Sequence, residues 1–208
     1  MRSILIVGGG GHARSVIDVI ERMGEFDIAG IADVDPDARY KQYEVIGNDG
    51  DLRAIRGAGV ECAALGLGYM GRSHIRDELC SKLEVAGFDL PAIVDPSAAI
   101  AYDATMGPGA FVGKCAVVNS AAKIGKMAIV NSGAVVEHDC NIGDFSHISV
   151  NATLCGNVGI GKRVFVGAGA TIVQGTFLGE ESLVGAGAIV LTNVKPGCTV
   201  VGIHHGQD

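Results

Sequence analysis

The carboxyl-terminal half of the chain carries a hydrophobic residue at every sixth position. From Val94 to Val190, all seventeen residues at this spacing are aliphatic or methionine. The residue four positions later is small, with alanine in each successive repeat from Ala98 to Ala134. The residue directly after the aliphatic one is glycine in eight of the seventeen repeats, which suits crowded corners. A period of six fits neither an α-helix nor a single strand. It predicts short strands joined by tight corners, three to a coil, that close a triangular prism around one large and one small side chain of each strand.

Charge density separates this repeating half from the residues before it. Residues 1–92 carry 10 basic and 15 acidic side chains, whereas residues 93–208 carry only 6 and 8. We therefore predict two domains, an α/β domain over residues 1–92 and the prism over residues 93–208.

The α/β domain begins with a β-α-β pattern and a glycine-rich loop. Its apolar runs and helical periodicity predict strands over residues 4–7, 28–32 and 63–67, and helices over residues 14–23 and 73–85. Gly8, Gly10 and Ala13 fit the motif G-x-G-x-x-A, and Asp33 follows Gly8 by 25 residues. Such a loop attracts a pyrophosphate to the helix start, and a carboxylate near this distance binds a ribose. A β-α-β-α-β half-unit of this length favours a nucleotide-sugar over the complete dinucleotide NAD.

Composition narrows the functional classes. A formal net charge of -7 speaks against non-specific nucleic-acid binding, which needs a basic face. No apolar run approaches the ~20 residues of a membrane span, and the start of the chain does not fit a signal peptide, so we expect a cytoplasmic protein without membrane insertion. The six cysteines include no C-x-x-C pair, which favours reduced thiols over a disulfide framework or a zinc ribbon.

The prism contains two histidines, His138 and His147. His138 comes two residues after the inward Val136, so we place it at a corner, with the small Ser120 and Gly156 one coil away on either side. His147 directly precedes an inward position and should point outward from a strand. A surface role without chemistry stays open for both. The predicted corner and strand lie apart in one prism, so joint action of the two histidines would require a neighbouring subunit.

Three motifs together resemble one bacterial family. These are Gly-x-Gly-Gly-His at residues 8–12, Val-Glu-His-Asp at residues 136–139, and Gly-Asp-Phe-Ser-His-Ile-Ser at residues 143–149. Over residues 3 to about 202 the chain is similar to the hexapeptide-repeat family of sialic-acid O-acetyltransferases and UDP-4-amino-sugar N-acetyltransferases. The resemblance implies a Rossmann-like domain followed by a left-handed parallel β-helix, where the usual crossover rule would predict the right hand. It also implies a homotrimer with active sites between subunits, and trimerisation would cover the flat apolar faces of the prism.

For catalysis, the resemblance implies direct acetyl transfer from acetyl-CoA with His138 as general base. An imidazole is largely neutral at pH 7 and can take a proton as the acceptor attacks the thioester. Asp139 matches the family's acidic partner of this histidine, although some members have the longer glutamate. Glu137 is the alternative partner.

For binding, the resemblance assigns cofactor and substrate positions. His147 would contact and polarise the acetyl group or thioester of acetyl-CoA. The pantetheine arm would pass Asn131, Gly156 and Ala168. The positions that match the family's sugar-nucleotide site are Gly10, Gly11, His12, Asp33 and Gly66. The stretch from Leu65 to Arg72 departs from the common family form by an apparent one-residue insertion, and the tail after Gly202 lacks the frequent family ending. The roles of Arg72 and of the tail therefore stay open.

The favoured function is N-acetylation of a nucleotide-linked amino-sugar, and the alternative within the family is O-acetylation of sialic acid or a related sugar. Both use the same base, so the sequence does not separate them. Three other classes remain. A trimeric zinc carbonic anhydrase of the same prism fold would need three histidines, whereas the prism has two, and we predict no metal. A non-catalytic regulatory prism and an NAD-dependent dehydrogenase are the other two.

Overall fold

The computed structural model describes residues 1–37, 39–71 and 73–206, which form two compact units. The first comprises Met1–Gly68 and His74–Pro96. The second comprises Tyr69–Ser73 and the chain from Ser97 onward. The segment Tyr69–Ser73 therefore belongs with the carboxyl-terminal unit, although it lies within the first 92 residues of the sequence.

The first unit is an α/β structure built on a parallel sheet. In chain order its elements are β1 (Arg2–Val7), α1 (Gly11–Met23), β2 (Phe26–Ala32), β3 (Val45–Gly47), α2 (Leu52–Gly57), β4 (Cys62–Leu65) and α3 (Ile75–Ala86). The four strands lie in the order β3-β2-β1-β4, and every pairing is parallel. The sequence pattern missed β3 and α2, because three and six residues are too few to display a period.

Helix α1 positions the glycine-rich loop. The buried side of this helix consists of apolar residues at helical spacing, among them Val16, Ile17 and Ile20. Gly10 occupies the N-cap position, so the helix starts three residues earlier than the predicted Arg14. Glycine is a poor helix former, and the periodic pattern therefore did not show this first turn.

The second unit is a left-handed parallel β-helix, which confirms the predicted fold. Its strands, β6 to β23, are each two residues long. The strand β5 is equally short and comes before them in the chain, but it belongs to the first unit. The strands are β5 (Ile93–Val94), β6 (Ala99–Ile100), β7 (Thr105–Met106), β8 (Phe111–Val112), β9 (Val117–Val118), β10 (Lys123–Ile124), β11 (Ile129–Val130), β12 (Val135–Val136), β13 (Asn141–Ile142), β14 (His147–Ile148), β15 (Thr153–Leu154), β16 (Gly159–Ile160), β17 (Phe165–Val166), β18 (Thr171–Ile172), β19 (Phe177–Leu178), β20 (Leu183–Val184), β21 (Ile189–Val190), β22 (Thr199–Val200) and β23 (Ile203–His204).

The strands form three faces, here called the β6, β7 and β8 faces after their first strand in this unit. The β6 face runs β6-β9-β12-β15-β18-β21-β23, the β7 face β7-β10-β13-β16-β19, and the β8 face β8-β11-β14-β17-β20-β22. Neighbouring strands in a face are parallel and pair residues one coil apart, for example Val130 with Ile148. The second residue of every strand from β5 to β21 is the predicted sixth-position residue. From Val112 to Val190 these residues are at most 3% exposed, so they fill the prism.

The corners require two different properties of the backbone. The second residue of most turns adopts a left-handed conformation, as Asp139 does at φ +61°. Glycine serves a separate purpose directly after each strand of the β7 face, for example at Gly125, Gly143 and Gly161. A Cβ atom at these positions would lie within 3.0 Å of backbone atoms in the next coil. The glycines therefore permit close stacking of successive coils, in agreement with their predicted role.

Candidate active site

The turn between β12 and β13 presents His138 at a corner of the prism. Main-chain hydrogen bonds tie this turn to the coils on both sides. The N–H of Asp139 donates to the carbonyl of Ser120 at 3.0 Å, and the N–H of Asn157 donates to the carbonyl of His138 at 2.8 Å. The backbone position of His138 is therefore fixed by the register of the repeats.

Asp139 orients the imidazole of His138. The ring Nδ1 lies 2.8 Å from Oδ2 of Asp139, so a proton on Nδ1 is donated to the carboxylate and the lone pair stands on Nε2. Glu137 contacts the main chain instead, since its Oε2 accepts the backbone N–H of His138 at 3.3 Å. Of the two acidic candidates, Asp139 is the one in contact with the ring. The His138 side chain is 53% exposed and open to a reactant.

Gly156 makes room for this ring. A Cβ atom at Gly156 would lie 2.5 Å from Nε2 and 2.6 Å from Cε1 of His138. The imidazole therefore extends over the next coil, with Nε2 directly above the glycine. The sequence predicted small neighbours for His138 from the 18-residue coil, and the structure shows that the space at Gly156 is occupied by the ring itself.

A second polar pair, Ser120 and Asp103, lies one coil before His138, and the sequence had indicated Ser120 only as a small neighbour. The hydroxyl of Ser120 donates to Oδ2 of Asp103 at 2.8 Å. This hydrogen bond lowers the pKa of the Asp103 carboxyl below its usual value. The spacing of 18 residues from His138 predicted the position of Ser120, but not its hydrogen bond to Asp103.

His147 lies on the β8 face and is buried, at 7% exposure. Its Nδ1 lies 2.5 Å from the backbone carbonyl of Tyr69, and its Nε2 lies 3.1 Å from the side-chain nitrogen of Asn131. The ring also packs edge-on against Phe165, with centroids 5.4 Å apart. Both ring nitrogens therefore contact protein groups. The contact with Tyr69 could not be predicted from the six-residue period, because Tyr69 lies outside the repeats.

The predicted cofactor positions divide between two corners. Asn131 and Ala168 follow strands of the β8 face, whereas Gly156 follows a strand of the β6 face. The structure thus brings Gly156 together with His138, and Asn131 together with His147. Ala168 contributes its carbonyl to the N–H of Gly187 at 2.8 Å, which is a coil-to-coil bond.

The predicted substrate loop lies at the carboxyl end of β1. The N–H of Gly9 donates to Oδ2 of Asp33 at 2.5 Å, and Oδ1 of Asp33 accepts the N–H of Asp35 at 2.9 Å. Asp33, which directly follows β2, therefore stabilises the glycine-rich loop through this hydrogen bond. Gly10 and Gly11 are exposed, and the space beside their Cα atoms is open.

Gly66 and His12 flank this loop. A Cβ atom at Gly66 would overlap the carbonyl oxygen of Gly8 and lie 2.7 Å from Cβ of Ala13, so glycine is required for the close approach of β4 to the loop. His12 is partly exposed on the first turn of α1, near Gly68. Arg72, whose role the sequence left open, lies outside the described residues.

Over residues 1–37, 39–71 and 73–206, no helix has the length and apolar character needed to cross a membrane. In the same part of the chain, no three His, Cys, Asp or Glu side chains come together in a group that could hold a metal ion.

Comparison with known proteins agrees with this architecture. Residues 3–83 match the family model described as PglD N-terminal domain, and residues 157–192 match the hexapeptide repeat of succinyl-transferase. A variant of the GDP-perosamine N-acetyl transferase from Caulobacter crescentus, solved with CoA and GDP-perosamine, is 33% identical. It superposes with a TM-score of 0.92, and the match covers 97% of this chain and 94% of that one. The chain belongs to the hexapeptide-repeat sugar acetyltransferases.

A second member supports the same assignment. The acetyltransferase domain of PglB from Neisseria gonorrhoeae is 30% identical, with a TM-score of 0.91 and 97% of each chain covered. Its complex with acetyl coenzyme A matches at 30% identity and a TM-score of 0.90, over 97% of this chain and 96% of that one. The predicted family and the acetyltransferase class are confirmed. The carbonic anhydrase, dehydrogenase and non-catalytic interpretations are thereby set aside.

Proposed function

We propose that this acetyltransferase transfers the acetyl group of acetyl-CoA to the primary amine of a nucleotide-linked amino-sugar. Its relative from Caulobacter crescentus was crystallised with CoA and GDP-perosamine, which supports both the co-substrate and the acceptor class. The relative PglB domain was crystallised with acetyl coenzyme A. The base and the sugar of the acceptor are left to experiment.

The pair His138–Asp139 is the observation that carries the mechanism. Asp139 holds the proton of His138 on Nδ1, which leaves the Nε2 lone pair free to act as general base. The neutral amine of the sugar attacks the thioester carbon, a C–N bond forms, and Nε2 takes the proton that the amine releases. The C–S bond then breaks, and the imidazolium returns a proton to the leaving CoA sulfur. Asp139 stabilises the imidazolium between these two steps, and no covalent acetyl-enzyme is formed.

The acceptor's nucleotide is assigned to the loop after β1. The N–H groups of Gly10 and Gly11, at the start of α1, suit a pyrophosphate, because a helix N-terminus attracts negative charge. Asp33 stands where a ribose hydroxyl could donate to it, and His12 and Gly66 border the same loop.

A homotrimer with the active site at the subunit boundary completes the proposal. His138 is exposed in the single chain, and exclusion of water around it would need a second protein surface. A variant that stays monomeric and keeps full activity would refute this part of the proposal.

The proposed function is tested by a panel of acceptors with acetyl-CoA. The panel comprises UDP- and GDP-linked amino-sugars, the matched nucleotide-sugars with a hydroxyl in place of the amine, free amino-sugars, and sialic acid. CoA release is followed as free thiol, and the product is identified by mass spectrometry. We expect acetylation of at least one nucleotide-linked amine and none of its hydroxyl counterpart. Acetylation of sialic acid alone would establish the O-acetyltransferase alternative.

A further inference from the structure

Tyr69 is anchored to the prism by its side chain. It is only 3% exposed, and its phenolic hydroxyl donates to the backbone carbonyl of Arg163 at 2.7 Å. The anchored residue presents its own backbone carbonyl to Nδ1 of His147 at 2.5 Å. Tyr69 lies in the stretch from Leu65 to Arg72 that departs from the common form of the family.

The contacts of His147 define its tautomer. A carbonyl oxygen only accepts hydrogen bonds, so Nδ1 must carry the proton that it donates to Tyr69. The side-chain oxygen of Asn131 accepts the N–H of Ser132 at 2.8 Å, which directs the amide nitrogen of Asn131 towards His147. That nitrogen donates to the lone pair on Nε2 at 3.1 Å. The carbonyl of Tyr69 and the amide of Asn131 both require a neutral imidazole with its proton on Nδ1.

An imidazole in this state has no proton on Nε2 to offer to a thioester carbonyl. The amide of Asn131 has two N–H donors, and His147 takes one of them. The partly exposed amide therefore has one N–H remaining, and no described residue accepts it.

We propose that Tyr69 is a positioning residue that fixes His147 in the Nδ1–H tautomer, and that the side-chain N–H of Asn131 is the donor to the carbonyl of acetyl-CoA. This inference rests on the proposed function in placing acetyl-CoA along Asn131. Tyr69 acts through His147. The imidazole accepts one N–H of the Asn131 amide, and this holds the amide with its oxygen towards Ser132 and its nitrogen on the other side. The arrangement reassigns to Asn131 the polarising role that the sequence predicted for His147.

The tautomer is measured directly on the full-length enzyme by NMR of ¹⁵N-labelled histidine side chains. The resonances of His147 are assigned as those missing from His147→Gln. We expect Nδ1 to be protonated and Nε2 unprotonated in the free enzyme, and to stay so when acetyl-CoA is added without an acceptor. A proton on Nε2 in either state would overturn the proposal and would make the imidazole the donor.

Two variants test the positioning and the donor. Tyr69→Phe removes the hydroxyl anchor, and we expect the His147 resonances to shift towards a mixture of tautomers, with kcat/KM for acetyl-CoA about three- to tenfold lower. Asn131→Asp keeps the shape but removes the donor, and we expect a loss of about ten- to a hundredfold in kcat. Tyr43→Phe is the matched control, because its hydroxyl contacts Glu21 in the α/β unit.

The outcomes separate this inference from the proposed function. The tautomer readout needs acetyl-CoA but no acceptor, so it stands even if no sugar in the panel is acetylated. Tyr69→Phe with an unchanged His147 spectrum would refute the positioning role. Asn131→Asp with normal kcat would refute the donor role, whatever the acceptor is.

Discussion

The two units of the chain build their candidate sites from different parts of the polypeptide. In the α/β unit the site consists mainly of backbone N–H groups at Gly10 and Gly11, organised by one carboxylate, Asp33. In the β-helix it consists of side chains placed at corners, where His138 takes its surroundings from residues 18 positions away. The first kind of site depends on local backbone conformation, and the second depends on the register of the coils. The two should therefore respond differently to small substitutions.

The largest effect is expected where a coil-to-coil contact is blocked. Gly161→Ala places a Cβ atom 2.7 Å from the backbone nitrogen of Glu180. Backbone cannot move aside cheaply, so we expect the free energy of unfolding to fall by about 3 kcal/mol. Gly187→Ala is the control, with φ +67° but open space around the Cβ, and should cost about 1 kcal/mol. Chemical denaturation measures both, and equal losses would show that stacking is not what requires glycine.

A smaller change should separate catalysis from stability within the β-helix. Gly156→Ala places a methyl group 2.5 Å from Nε2 of His138, but that ring is an exposed side chain that can rotate away. We expect kcat to fall about ten- to a hundredfold, because displacement of the base removes much of its contribution. Thermal unfolding should be nearly unchanged. An unaltered kcat would mean that the ring position seen here is not the catalytic one.

In the α/β unit the corresponding test is Asp33→Ala. It removes the carboxylate that accepts the N–H of Gly9, so the loop loses a charge-assisted hydrogen bond. We expect KM for the nucleotide-sugar to rise about tenfold and KM for acetyl-CoA to stay the same. Asp35→Ala, at an exposed position two residues beyond Asp33 in the segment after β2, is the control. A parallel rise in both KM values would contradict an acceptor role for this loop.

The smallest effect on activity is expected from modification of the exposed thiols. Burial raises the pKa of Cys140 and of Cys62, which lowers the fraction of reactive thiolate, whereas Cys115 and Cys198 are exposed. Brief alkylation of the native enzyme should label the two exposed cysteines, leave Cys140 and Cys62 unmodified, and preserve turnover. Peptide mass spectrometry and an activity assay check this. Loss of turnover that tracks labelling of Cys140 would point to a thiol in the reaction.

The sequence predicted the β-helix almost residue by residue but the α/β unit only in outline. Each coil buries the same kinds of side chain at the same positions. The prediction that one aliphatic residue such as Val130 faces inward is therefore supported by all the other residues at the six-residue spacing. In the α/β unit no such repetition exists, and short elements such as β3 and α2 give no periodic signal. The start of α1 at Gly11 was missed because its first residue favours no helix.

In the candidate site, the sequence could predict those residue positions that a motif or the 18-residue coil determines. The corner position of His138, its small neighbour Gly156 and the position of Asp33 after the glycine-rich loop follow from spacing, whereas the role of His138 as a base was implied by the family resemblance. The partner of the imidazole did not follow from spacing, because Glu137 and Asp139 flank His138 on either side. The structure brings the carboxylate of Asp139 into contact with the ring. Tyr69 could not be predicted at all, since its contact with His147 joins residues 78 positions apart with no shared period.

The central claim is that His138 is the general base of direct acetyl transfer, and single-turnover kinetics of His138→Asn test it most directly. The account predicts that acetyl transfer slows at least about a hundredfold, while calorimetry shows unchanged binding of acetyl-CoA and of the acceptor. His74→Asn, at an exposed position before α3 that makes no capping hydrogen bond, should leave the rate unaltered. A folded His138→Asn enzyme that transfers acetyl at nearly the normal rate would contradict the claim.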